Sequence, residues 1–121
     1  AGLGFAVAYD KPIDFIGRDA VLRAKEKGVP NRRLVQVRLA GGGNAPLLYH
    51  EEPILRNGQI VGSITSGGYG HTIGTSLAMA LVERPFTQPG TELTVHVVGV
   101  ERKAKVIAPS PYDPDGARMR L

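Results

Sequence analysis

The chain has 121 residues, of which 42% are hydrophobic and 21% charged, and these are the proportions of a globular domain with one core. Sixteen glycines and nine prolines, with three Phe and no Trp, indicate many turns between short strands and exclude a disordered or collagen-like chain. Zero cysteines exclude a disulfide scaffold, a thiol nucleophile and Cys-ligated zinc. No apolar run reaches ~18 residues, and the first nine residues lack the features of a signal peptide. We therefore expect a cytoplasmic protein without a membrane span.

The first thirty residues are expected to hold one strand and one helix. Residues 3–9 have the apolar character of a strand, and because no Met precedes them we expect the chain to begin inside a larger protein. Residues 17–27 have apolar side chains at helical spacing, and Gly28 and Pro30 supply the stop. The boundary between two domains is expected after residue 30.

From Arg33 onward, apolar side chains recur at every second position, which is typical of half-buried strands. Further strands are predicted over residues 53–56, 59–65, 76–82, 92–98 and 103–107. About six short antiparallel strands with glycine-rich connections favour a closed or nearly closed barrel of Greek-key or jelly-roll-like type. The predicted fold is therefore mostly β, with the barrel over residues 31–121 preceded by a strand and one short helix.

Turn residues and apolar patterning refine this prediction. Asn57-Gly58 is typical of a type I′ hairpin turn, because both residues tolerate positive φ. Further turns are expected at Pro89-Gly90 and within residues 99–102. The strand at 76–82 is apolar on both faces, which predicts a central position and a buried Leu81.

Common catalytic and cofactor motifs are not found. Residues 2–7 superficially match a dinucleotide fingerprint, but no strand precedes them and no helix follows directly. His50, His71 and His96 share no ligand spacing, so no metal site is predicted. His50, which stands beside Glu51 and Glu52, is assigned to loop surface, and His96 to the outer face of a strand. The Ser in residues 65–67 lacks the context of a hydrolase nucleophile.

The excess positive charge is concentrated between Arg18 and Arg38, a stretch that contains seven basic residues and two acidic ones. Such a stretch can attract a polyanion. Because no aromatic residues are interleaved with it, nucleic-acid binding is disfavoured. The alternative that this stretch supports is a stand-alone interaction barrel that recognises nucleic acid or a protein partner.

The segment over residues 62–72 is the densest in glycine and hydroxyl residues. With its flanks, "VGSITSGGYGHTIGTSLAMALV" resembles the C-terminal barrel of the glycine-cleavage T-protein (aminomethyltransferase) family, in the version fused to FAD-dependent dimethylglycine and sarcosine dehydrogenases. Three further segments agree in order: "DFIGRDAVL", "NAPLLYHEEPILRNGQIVG" and "APSPYDPDGARMRL". The resemblance covers most of the chain.

This resemblance implies a tetrahydrofolate-dependent step in which an amine-bound methylene, or formaldehyde from amine oxidation, is captured as 5,10-methylenetetrahydrofolate. In the family the catalytic Asp and most folate contacts belong to upstream domains, so no catalytic residue is assigned here and the chain alone is expected to be inactive. Its partners would be the upstream folate-binding domain, of which residues 1–30 would be the tail, and a flavin domain carrying FAD. The parent's substrate would be a small methylated amine.

Four residues are the candidates for contact with tetrahydrofolate that the resemblance implies. Arg118 or Arg120 would bind the carboxylates of the glutamate tail, since an Arg fork matches a carboxylate. The alternative is a solvated C-terminal tail. Tyr69 and His71 would face the folate cleft, where a Tyr can stack on a ring and a His can donate to a carbonyl. The alternative for this pair is a structural role in the glycine-rich turn.

Overall fold

A computed structural model describes residues 1–120, and the chain divides after Asn31 into two compact units. The sequence-based boundary after residue 30 is one residue earlier. The first unit contains a short 3-10 turn (Gly4–Ala6) and helix α1 (Arg18–Glu26). Among residues 1–120, no helix has the length and apolar character needed to cross a bilayer.

Helix α1 begins and ends at glycines in the left-handed region. Gly17, with a φ of 92°, precedes its first residue, and Gly28, with a φ of 86°, follows its C-cap. The N–H of Lys27 donates to the carbonyl of Arg23 at 3.1 Å and closes the last turn. The predicted helix over residues 17–27 is confirmed, with its ends acting as caps.

The predicted strand over residues 3–9 is wrong. The chain forms a 3-10 turn there, with the N–H of Ala6 donating to the carbonyl of Leu3 at 3.0 Å. Leu3 and Phe5 are 62% and 87% exposed. A strand needs a neighbour for its backbone hydrogen bonds, and none of the described strands pairs with this segment.

The second unit is a closed six-stranded barrel in which every neighbouring pair is antiparallel. Its strands are β1 (Arg32–Leu39), β2 (Pro53–Arg56), β3 (Gln59–Gly70), β4 (Thr75–Glu83), β5 (Glu92–Val97) and β6 (Val100–Ile107). Around the barrel the order is β1-β4-β3-β2-β5-β6. The sequential β2, β3 and β4 are followed by β5 beside β2, which is a Greek-key connection. The predicted mostly β barrel is confirmed.

Two hairpin turns fix the register of the barrel. Asn57 and Gly58 have φ values of 52° and 77°, which confirms the predicted type I′ turn between β2 and β3. The turn between β5 and β6 is Val98-Gly99, with φ values of 49° and 78°, and β6 already begins at Val100. The prediction of a turn over residues 99–102 is therefore displaced.

The core is formed by the inward-facing apolar side chains of all six strands. In β4 the inward residues are the buried Ala78, Ala80 and Val82. Leu81 lies on the other face and is only half-buried, so the sequence-based expectation of a buried Leu81 is wrong. The most deeply buried large side chains are Val37, Leu39, Ile54, Ile64, Val82, Val95 and Val106.

Hydroxyl groups tie the loop after β1 to the start of β4. Thr75 Oγ1 donates to the carbonyl of Leu39 and Ser76 Oγ to the carbonyl of Ala45, both at 3.1 Å. Both hydroxyl residues are buried, and each hydroxyl is satisfied by a backbone acceptor. The loop is thereby held next to the glycine-rich end of β3, which pairs with β4.

The loop before β2 places a buried carboxylate next to exposed residues. His50 is exposed as predicted and Glu51 is exposed beside it, whereas Glu52 is 9% exposed and is part of the barrel's hydrogen-bonded framework. Its carboxylate accepts from the backbone N–H of Tyr49 at 2.9 Å. The burial of this Glu is not predictable from sequence, because its backbone hydrogen-bond partners are brought to it by the tertiary structure.

Candidate functional site

A shallow groove of about 270 Å³ lies on the outer face of β1, β3 and β4, and we call it the outer groove. It is lined by Gln36, Ser66, Gly67, Gly68, Tyr69, Gly70, Leu77, Ala78 and Met79. Leu77 and Met79 are the half-buried outward residues of β4, and their cross-strand partners on β3 are Gly68 and Ser66. Because glycine has no side chain, the backbone of β3 is exposed in the groove beside Leu77 and Met79.

The glycine at position 67 is required by a close backbone approach. A Cβ on Gly67 would collide with the carbonyl oxygen of Leu48, whose residue packs into the barrel core. Close approach between segments is a common reason for glycine inside a strand. The glycine-rich sequence therefore has a packing explanation at this position.

Gln36 supplies an unsatisfied polar atom to the wall of the outer groove. Its Oε1 is buried and accepts no hydrogen bond from residues 1–120. Buried polar atoms in native structures nearly always have a partner, so Gln36 Oε1 is an exception to the usual pattern. Sequence analysis missed Gln36 because it lies at an ordinary polar position of an alternating strand.

Tyr69 lines the outer groove, and His71 lies beside it in the turn after β3. Their rings make an edge-to-face contact with centroids 5.1 Å apart. Tyr69 is half-buried in β3, while His71 is exposed in the turn that follows. A Cβ placed on Gly43 would lie 3.6 Å from the Tyr69 hydroxyl oxygen, so this ring covers the loop after β1. Tyr69 therefore packs against the loop after β1, while His71 is open to solvent.

The C-terminal segment forms a turn built on Asp113. Its Oδ1 accepts from the N–H of Ala117 at 2.9 Å and its Oδ2 from the N–H of Arg118 at 3.1 Å. These bonds cap the short 3-10 turn Ala117–Met119. The guanidinium of Arg118 lies 5.1 Å from the centroid of the Tyr112 ring.

The contact described for the Arg118 guanidinium is the one with the Tyr112 ring. Its side chain is exposed, and its contact with Tyr112 is a cation–π contact, which does not use the N–H donors. Arg120, the last described residue, is exposed, and its backbone N–H donates to the carbonyl of Ala117. The contacts of Tyr69 and His71 and those of Arg118 involve different segments of the barrel unit.

His96 lies on the outward face of β5. His96 is half-buried on β5, and its Nε2 lies 3.1 Å from Glu101 Oε1 on β6, in agreement with the predicted outward position. Within residues 1–120, no group of three or more His, Cys, Asp or Glu side chains is placed to hold a metal ion.

The basic stretch from Arg18 to Arg38 crosses the boundary between the two compact units. Inside the first unit, Arg18 Nη2 donates to the carbonyl of Tyr9 at 3.1 Å, and Lys25 Nζ lies 4.7 Å from the centroid of the Tyr9 ring. Part of its positive charge is thus engaged in local contacts. The structure does not favour a stand-alone barrel that binds through this stretch.

The fold and its surfaces define a Greek-key β-barrel module whose candidate binding residues lie on an outer groove and a C-terminal turn. Residues 32–113 match the family model for the glycine cleavage T-protein C-terminal barrel domain. The chain belongs to this family, and the match covers the strands from β1 to β6.

Similar proteins extend the match beyond the barrel. An aminomethyltransferase of Listeria monocytogenes is 38% identical over 112 residues, covering 93% of this chain and 30% of that protein. One of Synechococcus is 41% identical over 107 residues, covering 88% of this chain and 28% of its own length. The chain therefore spans about a third or less of these relatives.

A solved structure agrees with the barrel. The glycine cleavage system aminomethyltransferase T of Bartonella henselae matches with a TM-score of 0.67 and 26% sequence identity. The match covers 78% of this chain and 26% of the Bartonella protein.

Proposed function

We propose that this chain is the C-terminal barrel of a tetrahydrofolate-dependent aminomethyltransferase and that it contributes part of the folate site. The observation that carries the proposal is the Asp113-capped turn, which presents Arg118 as an exposed guanidinium on a backbone held by two hydrogen bonds. Its relatives in Listeria and Synechococcus bear the name aminomethyltransferase. The barrel would serve binding and orientation, while catalytic groups come from upstream domains.

The Arg118 guanidinium fits the carboxylate end of a folate. A glutamate tail carries carboxylates, and a guanidinium can bind one of them through two parallel N–H···O bonds. Because Asp113 fixes the backbone of the turn, part of the ordering cost of that contact is already met before binding. Arg120, two residues further on, is the second candidate for the same carboxylates.

The outer groove is the second surface that we assign to the folate site. Tyr69, which lines the groove and whose ring contacts that of His71, supplies an aromatic ring, and the exposed His71 supplies a ring N–H for a carbonyl. Tetrahydrofolate, when bound, supplies the nitrogens that carry the one-carbon unit. The residues named here bind and orient it and hold no proton that the transfer requires.

The finer proposal concerns the parent protein. We propose that it also carries an FAD-dependent domain that oxidises a methylated amine, with the barrel and its folate site capturing the released one-carbon unit. The resemblance of the segment from Val61 to Val82 to the flavin-fused members of the family supports this step. A flavin absorbance spectrum of the purified full-length protein tests it, and a colourless protein that transfers methylene to tetrahydrofolate would restrict the proposal to a free aminomethyltransferase.

The general proposal is tested by following the formation of 5,10-methylenetetrahydrofolate by the full-length protein from an aminomethyl donor. Tyr69→Leu and His71→Gln are expected to raise the KM for tetrahydrofolate and leave kcat nearly unchanged, because they remove the aromatic ring and the ring N–H assigned to binding and not to chemistry. His50→Gln, at an exposed loop position, is the matched control for the His variant. Absence of transfer with every aminomethyl donor would overturn the proposed function.

A further inference from the structure

A second cavity, of about 360 Å³, lies on the barrel surface at β1, β2, β5 and β6, and we call it the basic pocket. It is lined by Arg38, Leu39, Ala40, Leu55, Arg56, Asn57, Glu92, Leu93, Thr94, Lys103, Ala104 and Lys105. None of these residues lines the outer groove. The volume is within the range of pockets that hold small ligands.

The lining of the basic pocket is strongly unbalanced in charge. Four of its residues, Arg38, Arg56, Lys103 and Lys105, are cationic, and Glu92 is its one acidic residue. The formal charge of this lining is therefore +3. A concave surface with one sign of charge concentrates counter-ions of the other sign.

Strand pairing brings two of these cations into direct opposition. Arg38 on β1 is the cross-strand partner of Lys105 on β6, and both side chains are exposed on the outer face. Like charges directly opposite each other destabilise a sheet. A local conflict of this kind, placed around a cavity, is more typical of a binding site than of a structural surface.

The one carboxylate of the basic pocket is too little to neutralise its four cationic side chains. Glu92 is the partner of Lys105 on its other side, with Lys105 Nζ 3.9 Å from Glu92 Oε1. Arg56 Nη1 donates instead to the backbone carbonyl of Glu92, so the guanidinium is held at the pocket by a neutral acceptor. Within residues 1–120, the Lys105–Glu92 contact is the one ion pair recorded for the pocket.

We propose that the basic pocket binds a small oligophosphate, with Arg38, Lys103 and Lys105 as its charged ligands and Arg56 at its edge. A phosphate chain carries several negative charges at short spacing, and guanidinium and ammonium groups are its preferred protein donors. Thr94, the cross-strand partner of Lys103, adds a hydroxyl to the same surface. This site is separate from the folate contacts proposed above.

The test is calorimetric titration of the 121-residue chain with tripolyphosphate at low ionic strength. Arg38→Gln and Lys105→Gln are each expected to raise the Kd by at least about tenfold, because each removes a charged ligand. Arg33→Gln removes the same charge from an exposed position of the same strand that lies outside the pocket, and it is expected to change the Kd by less than about twofold. Circular dichroism and the Tm confirm that each variant is folded.

A variant of opposite effect separates a site from general attraction. Glu92→Gln removes the competing carboxylate and is expected to lower the Kd, whereas Glu51→Gln, at an exposed loop position, should leave it almost unchanged. Equal effects of Arg38→Gln and Arg33→Gln would show attraction to net charge alone and would overturn the proposal. So would the absence of tripolyphosphate binding at millimolar concentration.

Two further titrations identify the ligand class. Citrate tests a polycarboxylate and a single-stranded oligonucleotide tests a nucleic acid. The proposal requires tripolyphosphate to bind more tightly than citrate, with competition by inorganic phosphate. Tighter binding of citrate, or binding of the oligonucleotide that Arg38→Gln does not weaken, would contradict the assignment of an oligophosphate.

Discussion

Glu52 accepts a hydrogen bond at 3.1 Å from the backbone N–H of Val98, 46 positions further along the chain. Its other carboxylate oxygen accepts from the N–H of Tyr49 at 2.9 Å. One buried side chain thereby joins the loop before β2 to the turn between β5 and β6. Backbone bonds between Ile64 and its neighbours Glu51 and Glu52 hold the same loop against β3.

Glu52→Gln is expected to destabilise the barrel by about 1.5–3 kcal/mol, because one charge-assisted bond is replaced by an amide N–H facing a backbone N–H. The measurement is the free energy of unfolding in urea. Glu51→Gln removes the same charge from the exposed neighbouring residue and is the control, with an expected change within about 0.5 kcal/mol. Equal losses in the two variants would contradict the role given to the Glu52 carboxylate.

Val98 is held in a strained conformation. A β-branched residue at a φ of 49° is an outlier, and its side chain is 78% exposed, so packing does not compensate for the strain. Val98→Asn retains the N–H that bonds to Glu52 and is expected to stabilise the protein by about 1 kcal/mol. Val100→Asn, at an exposed strand position without this backbone, is the control. A lower Tm for Val98→Asn would show that the side chain itself is needed.

Gly58→Val tests the turn between β2 and β3. Nothing lies within 4 Å of a Cβ built on Gly58, so the cost comes from its φ of 77° and is expected to be about 1–3 kcal/mol. Gly68→Val provides a matched control, because that position also has open space but no positive φ. If both substitutions shift the Tm equally, backbone strain at Gly58 is not the cause.

Truncations in β4 test which of its faces is the core. Val82 is fully buried and Leu81 half-buried. Val82→Ala is therefore expected to cost about 2 kcal/mol and Leu81→Ala about 1 kcal/mol, although Leu81 loses the larger side chain. Urea unfolding of the two variants decides the order. A greater loss for Leu81→Ala would mean that the outward face of β4 is packed.

Sequence patterning predicts local features of the barrel well. The alternation of Val35, Val37 and Leu39 and the Asn57-Gly58 turn both depend on neighbouring residues, and both are present in the structure. The pairing of β1 with β4 depends on which strand closes the barrel, and nothing in the sequence of β1 indicates it. The strand predicted over residues 3–9 is wrong because strand pairing depends on tertiary structure, and apolar side chains alone do not supply a pairing partner.

The candidate site was predictable only in part. The glycine-rich segment and the C-terminal arginines are visible in the sequence, and the structure adds the Tyr69–His71 ring contact and the Asp113 cap to them. The orphaned acceptor of Gln36 and the opposition of Arg38 and Lys105 are consequences of strand register. A single sequence does not specify that register, so these features are not predictable from the sequence alone.

The affinity of the full-length protein for tetrahydrofolate tests the central claim most directly. Arg118→Ala or Arg120→Ala is expected to weaken binding by about 1.5–3 kcal/mol, whichever guanidinium binds the carboxylate. Lys at that position should restore only part of the loss, because an ammonium lacks the planar fork. Arg102→Ala, at an exposed position of β6, is the control and should bind as the parent does. If the double Arg118→Ala, Arg120→Ala variant binds tetrahydrofolate as tightly as the parent, the C-terminal turn does not contact folate and the assigned site is wrong.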